Sequence, residues 1–99
     1  MDLRQLRYFV QISETANFSR AAEILHVAQP SLSQQMKNLE DELGVELLIR
    51  HARGVTLTPL GQQLYDDARR ILHEVDRARD TLRTQSQSPS GRISVGLPS

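Results

Sequence analysis

The side chains with a usable hydrogen-bonding pattern lie between Pro30 and Lys37. Leu32, Met36, Leu39 and Leu43 recur there at steps of four, three and four residues, which at about 100° per residue makes one narrow apolar stripe on a helix. Pro30, Ser33, Gln34 and Lys37 project away from it. A Gln amide both donates and accepts, and a Ser hydroxyl does either, so this face suits the edges of bases in a duplex groove. The acidic residues Glu40, Asp41 and Glu42 come late in the same segment. Among phosphates only the N-terminal half of the helix would be admitted. Covalent and metal chemistry have no such cluster. His26, His51 and His73 are scattered, no His-Glu-x-x-His, Gly-x-Ser-x-Gly or Walker-type pattern occurs, and there is no cysteine. Neither a nucleophile with its base nor a thiolate zinc site can be assembled.

The elements that must position this face follow from periodicity and punctuation. Leu3, Leu6, Phe9, Val10 and Ile12 predict an amphipathic helix over Leu3–Ser13, ended near Asn17. Ser19 is expected to cap a short second helix, whose Ala21, Ala22 and Leu25 face the core. The two alanines allow the close crossing that a helix-turn-helix requires. His26-Val27-Ala28 forms the turn, Pro30 lies in the first turn of the third helix, and Gly44 stops it. Leu47–Arg50 and Val55–Leu57 then read as a hairpin around His51-Ala52-Arg53-Gly54.

Thr58 caps and Pro59 opens a long fourth helix, expected to reach about Gln85, with Gly61 tolerated inside it. Its apolar positions Leu60, Leu64, Ala68, Ile71, Val75, Ala78 and Leu82 step by 4, 4, 3, 4, 3 and 4, close to the repeat of a coiled-coil seam, which needs a partner. The remaining faces mix Asp, Glu and Arg, as a solvated helix laced with local ion pairs would. Ser86–Gly91 has linker composition, and Arg92–Leu97 alternates like the first strand of a further domain. The expected organisation is therefore a head over 1–58, a dimerisation helix over 59–86, and, over 87–99, a hinge with the first strand of a truncated domain.

Composition bounds these expectations. Ninety-nine residues, 38 % hydrophobic and 24 % charged, suit one small core with an appendage. Met1–Arg7 interrupts its apolar residues with charge, unlike a secretion signal, and no segment approaches the roughly 20 apolar residues of a membrane span. Twelve basic and twelve acidic residues give no net charge, without the positive excess usual in nucleic-acid binders. Eleven of the twelve basic residues are Arg, whose forked donors match phosphates and guanine edges.

Together these elements make a mainly α fold: a winged helix-turn-helix of three helices and a two-stranded wing, followed by a long dimerisation helix. At residue level the chain resembles the LysR-type transcriptional regulators. The likeness rests on Leu3-x-x-Leu6-x-x-Phe9, Ser19-x-Ala21-Ala22-x-x-Leu25, Gln29-Pro30-Ser31-Leu32-Ser33, Leu39-Glu40-x-x-Leu43-Gly44, Leu47-Leu48-x-Arg50, Arg53-Gly54 and Leu57-Thr58-x-x-Gly61. Ala28 stands where that family commonly has Ser, and Leu48 where it commonly has Phe. Ala28-Gln29-Pro30 with Leu48-Ile49-Arg50 is similar to the family's nitrogen-assimilation branch.

The resemblance implies that the third helix enters the major groove with Gln29, Pro30, Ser33 and Gln34 nearest the bases. The wing would then meet the minor groove through Arg53 and Arg50, while Ser31, Lys37 and Arg20 hold phosphates. Arg50 has two other readings, a phosphate contact or an ion pair with Glu46, and Lys37 and Arg20 also suit plain surface charges. The resemblance further implies antiparallel pairing through Leu60, Leu64, Ala68, Ile71, Val75, Ala78 and Leu82, an operator with an interrupted inverted repeat, and tetramers in the full-length protein. It implies no cofactor in this fragment, no metal, a small-molecule inducer on the missing C-terminal domain, no membrane, and a bacterial cytoplasm with the nucleoid. Two rival classes remain: an enzyme, against which the scattered histidines argue, and a winged-helix protein–protein module, which the zero net charge favours.

Overall fold

The computed structural model describes residues 1–87. Helix α1 (Leu3–Thr15) opens on a capping box: the Asp2 side chain accepts from the Gln5 N–H at 2.8 Å, and Gln5 Oε1 accepts from the Asp2 N–H at 3.2 Å. It ends at Ala16, which takes the left-handed conformation (φ 55°). Asn17, rather than Ser19, caps helix α2 (Phe18–Leu25), its side chain accepting from the Arg20 N–H at 2.8 Å. Both residue types cap well. Because α1 ends so abruptly at Ala16, the extended residue required at a cap falls on Asn17. His26 (φ 60°) closes α2, and helix α3 (Gln29–Leu43) follows after Val27 and Ala28.

Phe9, Ile12, Leu32 and Leu39 are the largest fully buried side chains, and Ala21 and Ala22 at the centre bring the three helices together. The wing is an antiparallel pair, β1 (Leu48–His51) with β2 (Gly54–Leu57), in register Leu48↔Leu57 to His51↔Gly54, so the turn is Ala52-Arg53. Hydrogen bonds to α1 and α3 fasten it to the helices, and a further rung closes its base. The Val55 N–H donates to the Ala16 carbonyl at 3.0 Å. Glu40 Oε2 accepts from the N–H groups of Leu47 and Leu48 at 2.7 and 3.1 Å. The Thr58 N–H donates to the Leu47 carbonyl at 3.0 Å.

Two glycines are dictated by these approaches. A Cβ on Gly54 (φ +136°) would lie 2.3 Å from the Ala16 oxygen, and one on Gly61 would lie 2.1 Å from the Leu47 oxygen. The sequence marks Gly61 as merely tolerated within a helix, whereas the Leu47 backbone at the root of the wing leaves no room for any other residue.

Helix α4 (Pro59–Gln87) starts where Thr58 Oγ1 accepts from the Gly61 N–H at 2.9 Å and donates to the Glu46 carbonyl at 2.7 Å. Its first half packs on α1, burying Leu6, Ala68 and Leu72 with Val10, Leu64 and Ile71 alongside. Tyr65 Oη donates to Glu14 at 2.8 Å, and Arg7 pairs with Asp76 at 3.3 Å. Beyond Val75 every residue to Ser86 is exposed. The local ion pairs expected from the sequence are formed as Asp67–Arg70, Glu74–Arg77 and Asp80–Arg83, each three residues apart. Hydrogen bonds from Gln63 and Arg70 hold the Asp67 carboxyl below its ordinary 3.8, and those from Arg77 hold Glu74 below 4.5. The expected hinge and strand, from Gln87 onward, lie outside the described residues except for Gln87 itself, which extends α4 by one residue.

Candidate nucleic-acid interface

The N-terminal half of α3 stands clear of the core. Pro30, Ser31, Gln34 and Lys37 are exposed and Gln29 and Ser33 are half-buried, while Leu32, Met36 and Leu39 point inward. Ala28 makes no side-chain cap, so the first-turn N–H groups of Gln29 and Ser31 remain available, and a helix N-terminus with free donors favours anions. Gln34 Nε2 donates to Asn38 Oδ1 at 2.9 Å, which braces the amide against its own helix.

The acidic end of α3 is largely accounted for within the protein. Glu40 is turned onto the strand backbone, and Asp41 lies 4.0 Å from Lys37. The sequence treats Glu40 as a charge to be kept away from phosphates; its position seven residues before Leu47 gave no sign that it fastens the wing.

The wing stands beside this helix. Arg53 is exposed at the turn, and its backbone N–H donates to His51 Nδ1 at 3.3 Å. Arg50 does not pair with Glu46. Its guanidinium lies 3.9 Å over the Phe18 ring and donates to Ser33 Oγ at 2.6 Å, linking the wing to α2 and α3. Arg20 is exposed on α2. Phe18 is absent from the sequence-based site, and no signal in the neighbouring sequence marks it as a platform for Arg50. Among the described residues no cluster of His, Asp and Glu is arranged to hold a metal ion, and no helix is long and apolar enough to cross a membrane.

The seam residues divide. Ala68 is fully buried against α1, and Leu64, Ile71 and Val75 are half-buried, whereas Leu60, Ala78 and Leu82 are exposed, Leu82 at 70 %. Leu72, outside the heptad pattern, is buried with Ala68. A heptad reading does not register that α1 covers one side of the helix.

A half-exposed polar helix beside an arginine-bearing wing on a three-helix core defines a winged helix-turn-helix of the DNA-binding class. Residues 3–62 match the model for the bacterial regulatory helix-turn-helix proteins of the lysR family, and the chain belongs to that family. It is 46 % identical over 97 residues to the nitrogen assimilation regulatory protein nac of Klebsiella aerogenes, covering 98 % of this chain and 32 % of that protein. It is 44 % identical over 99 residues to the HTH-type transcriptional regulator BudR of Klebsiella aerogenes, covering 100 % of this chain and 69 % of BudR. The chain thus spans about a third of the length of the nitrogen assimilation regulator. Among solved structures, the BenM_DBD/catB site 1 DNA complex superposes with a TM-score of 0.86 at 43 % identity, covering 89 % of this chain and 98 % of that one. The CbnR_DBD–DNA complex gives 0.82 at 45 %, covering 88 % and 100 %.

Proposed function

We propose that this chain is the DNA-binding part of a bacterial transcriptional regulator, reading an interrupted inverted repeat as an antiparallel dimer, without enzymatic activity of its own. The observation that carries this is the free N-terminal half of α3, flanked by Arg50 and Arg53 on a wing fixed in place by backbone contacts. Gln29, Pro30, Ser33 and Gln34 face the bases. Ser31, Lys37 and Arg20 take phosphates, and Arg53 enters the minor groove, where a narrow A·T-rich segment concentrates negative potential.

The head over 1–58 carries six basic and seven acidic side chains, so one head binds weakly and pairing supplies the rest. The spacing of the seam supports an antiparallel pair centred on Ile71. Leu60 and Leu82 lie equally far from it on either side, as do Leu64 and Ala78, so exposed Leu60 meets the partner's Leu82. A helix of 29 residues is about 44 Å long at 1.5 Å per residue, enough to set two heads about one duplex turn, roughly 34–36 Å, apart. In the full-length protein a domain after 87 takes a small-molecule inducer and pairs dimers into tetramers in the cytoplasm.

The head's small acidic excess also favours a protein–protein module. Titrating the chain into random duplex DNA over a range of salt separates the two. DNA binding gives affinity falling with a log–log slope of about −0.9 per phosphate neutralised; no affinity at low salt leaves the adaptor.

Replacing Gln29 with Ala is expected to cost about 1–3 kcal/mol on the selected site and to relax discrimination at one base pair. Equal loss on random duplex would assign Gln29 to the backbone. Arg53→Ala is expected to weaken sites with A·T-rich flanks more than G·C-rich ones. Anisotropy titrations showing the same loss on both would remove the minor-groove role.

A further inference from the structure

We propose that Arg50 is a positioning residue for base recognition: stacked on Phe18 and donating to Ser33, it holds the Ser33 hydroxyl off its own helix and turns the hydroxyl hydrogen outward. The proposal rests on Ser33 facing a base, as set out above. Its starting point is a difference between serines and threonines of the same protein. On α1, Ser13 and Thr15 return their hydroxyls to the carbonyls of Phe9 and Gln11, four residues back, at 2.8 and 2.9 Å. That is the usual fate of such groups inside a helix. Ser33 makes no such bond among the described residues.

Instead Ser33 Oγ accepts from Arg50 Nη2 at 2.6 Å. A guanidinium has no acceptor, so the direction of this bond is fixed. The cation occupies one lone pair and polarises the O–H, strengthening it as a donor. Its hydrogen is left for an acceptor outside the protein, such as a purine N7, guanine O6 or thymine O4.

Arg50 is itself held. The ring 3.9 Å beneath it belongs to Phe18, only 7 % exposed at the start of α2, where the Asn17 cap fixes the backbone. Among the described residues no carboxylate pairs with Arg50. Three elements distant in sequence therefore converge on one hydroxyl, and specificity in the major groove depends on a wing residue. Without Arg50, Ser33 reverts to the Gln29 carbonyl, as Ser13 does with Phe9.

The test uses this 99-residue chain and a half-site selected from random duplexes, with every single base-pair change titrated at fixed salt. Ser33→Ala is expected to flatten discrimination at one base pair by about tenfold. Arg50→Met, which keeps an apolar stem on Phe18 but no donor, is expected to flatten the same base pair by about threefold or more and to leave the other positions unchanged. Arg50→Lys restores part of the effect, and in a Ser33→Ala background Arg50→Met adds nothing at that base pair. Should Arg50→Met not fold, Arg50→Gln carries the comparison. Uniform weakening on all sequences, an effect at another base pair, or additive effects would overturn the proposal and make Arg50 a backbone contact. If Ser33→Ala flattens no position, the base-reading role of Ser33 falls and this inference with it. If Ser33→Ala does so and the Arg50 variants do not, only the inference falls.

Discussion

Gly54→Ala is expected to destabilise the fold by about 3 kcal/mol or more. The new methyl group would sit 2.3 Å from the Ala16 oxygen, at a φ of +136° that side chains rarely adopt. That oxygen already accepts from the Val55 N–H, so the clash cannot be relieved without giving up the bond that docks the wing on α1. Gly44→Ala supplies the control. Gly44 also has positive φ, +72°, but nothing lies within 4 Å of its added Cβ, so its cost is limited to the left-handed backbone, about 1–2 kcal/mol. Urea denaturation of both variants measures the difference. Equal losses would mean that the wing is not seated on Ala16.

The second large effect concerns pairing. Leu82→Asp is expected to produce monomers and to reduce affinity for a duplex with two half-sites by about 10²–10⁴-fold, the gain that linkage provides, while binding to a single half-site is unchanged. Leu82 is 70 % exposed within the chain, so folding of the head is untouched and the loss belongs to the interface. Ile71→Asp also puts a charge into the seam, but Ile71 packs against Leu6, Ala68 and Leu72 as well, so stability and association change together. Sedimentation showing Leu82→Asp still dimeric would move the interface elsewhere.

The legible parts of the fold were those with local signals. Pro30, Gly44, Thr58 and Pro59 punctuate the chain by their own backbone chemistry, and the order of three helices, hairpin and long helix follows from them. The stripe from Leu32 to Leu43 also separates inward from outward residues on α3, except that Leu43 itself is 40 % exposed at the helix end.

What the sequence hid depends on contacts between distant segments. Gly61 is fixed by the Leu47 carbonyl, Glu40 by the N–H groups of Leu47 and Leu48, and Leu72 by α1. None of these leaves a periodic trace. Asn17 and Ser19 are equivalent as cap residues, and only the left-handed turn at Ala16 decides between them. Arg50 was legible as a basic wing residue, but its commitment to Phe18 and Ser33 spans 32 and 17 positions. The exposure of Pro30 and Gln34, by contrast, follows from a single helix's geometry, while Gln29 and Ser33 beside them are half-buried.

The fastening of the wing has a mechanical consequence. With β2 hung from the end of α1 and the root of β1 held by Glu40 on α3, groove-reading helix and wing cannot shift against each other without breaking these hydrogen bonds. A duplex whose contour misfits this rigid template must itself supply the adjustment, by curving or by narrowing a groove, and its stiffness becomes part of target choice. Bases that no side chain touches would then be selected for how readily they yield.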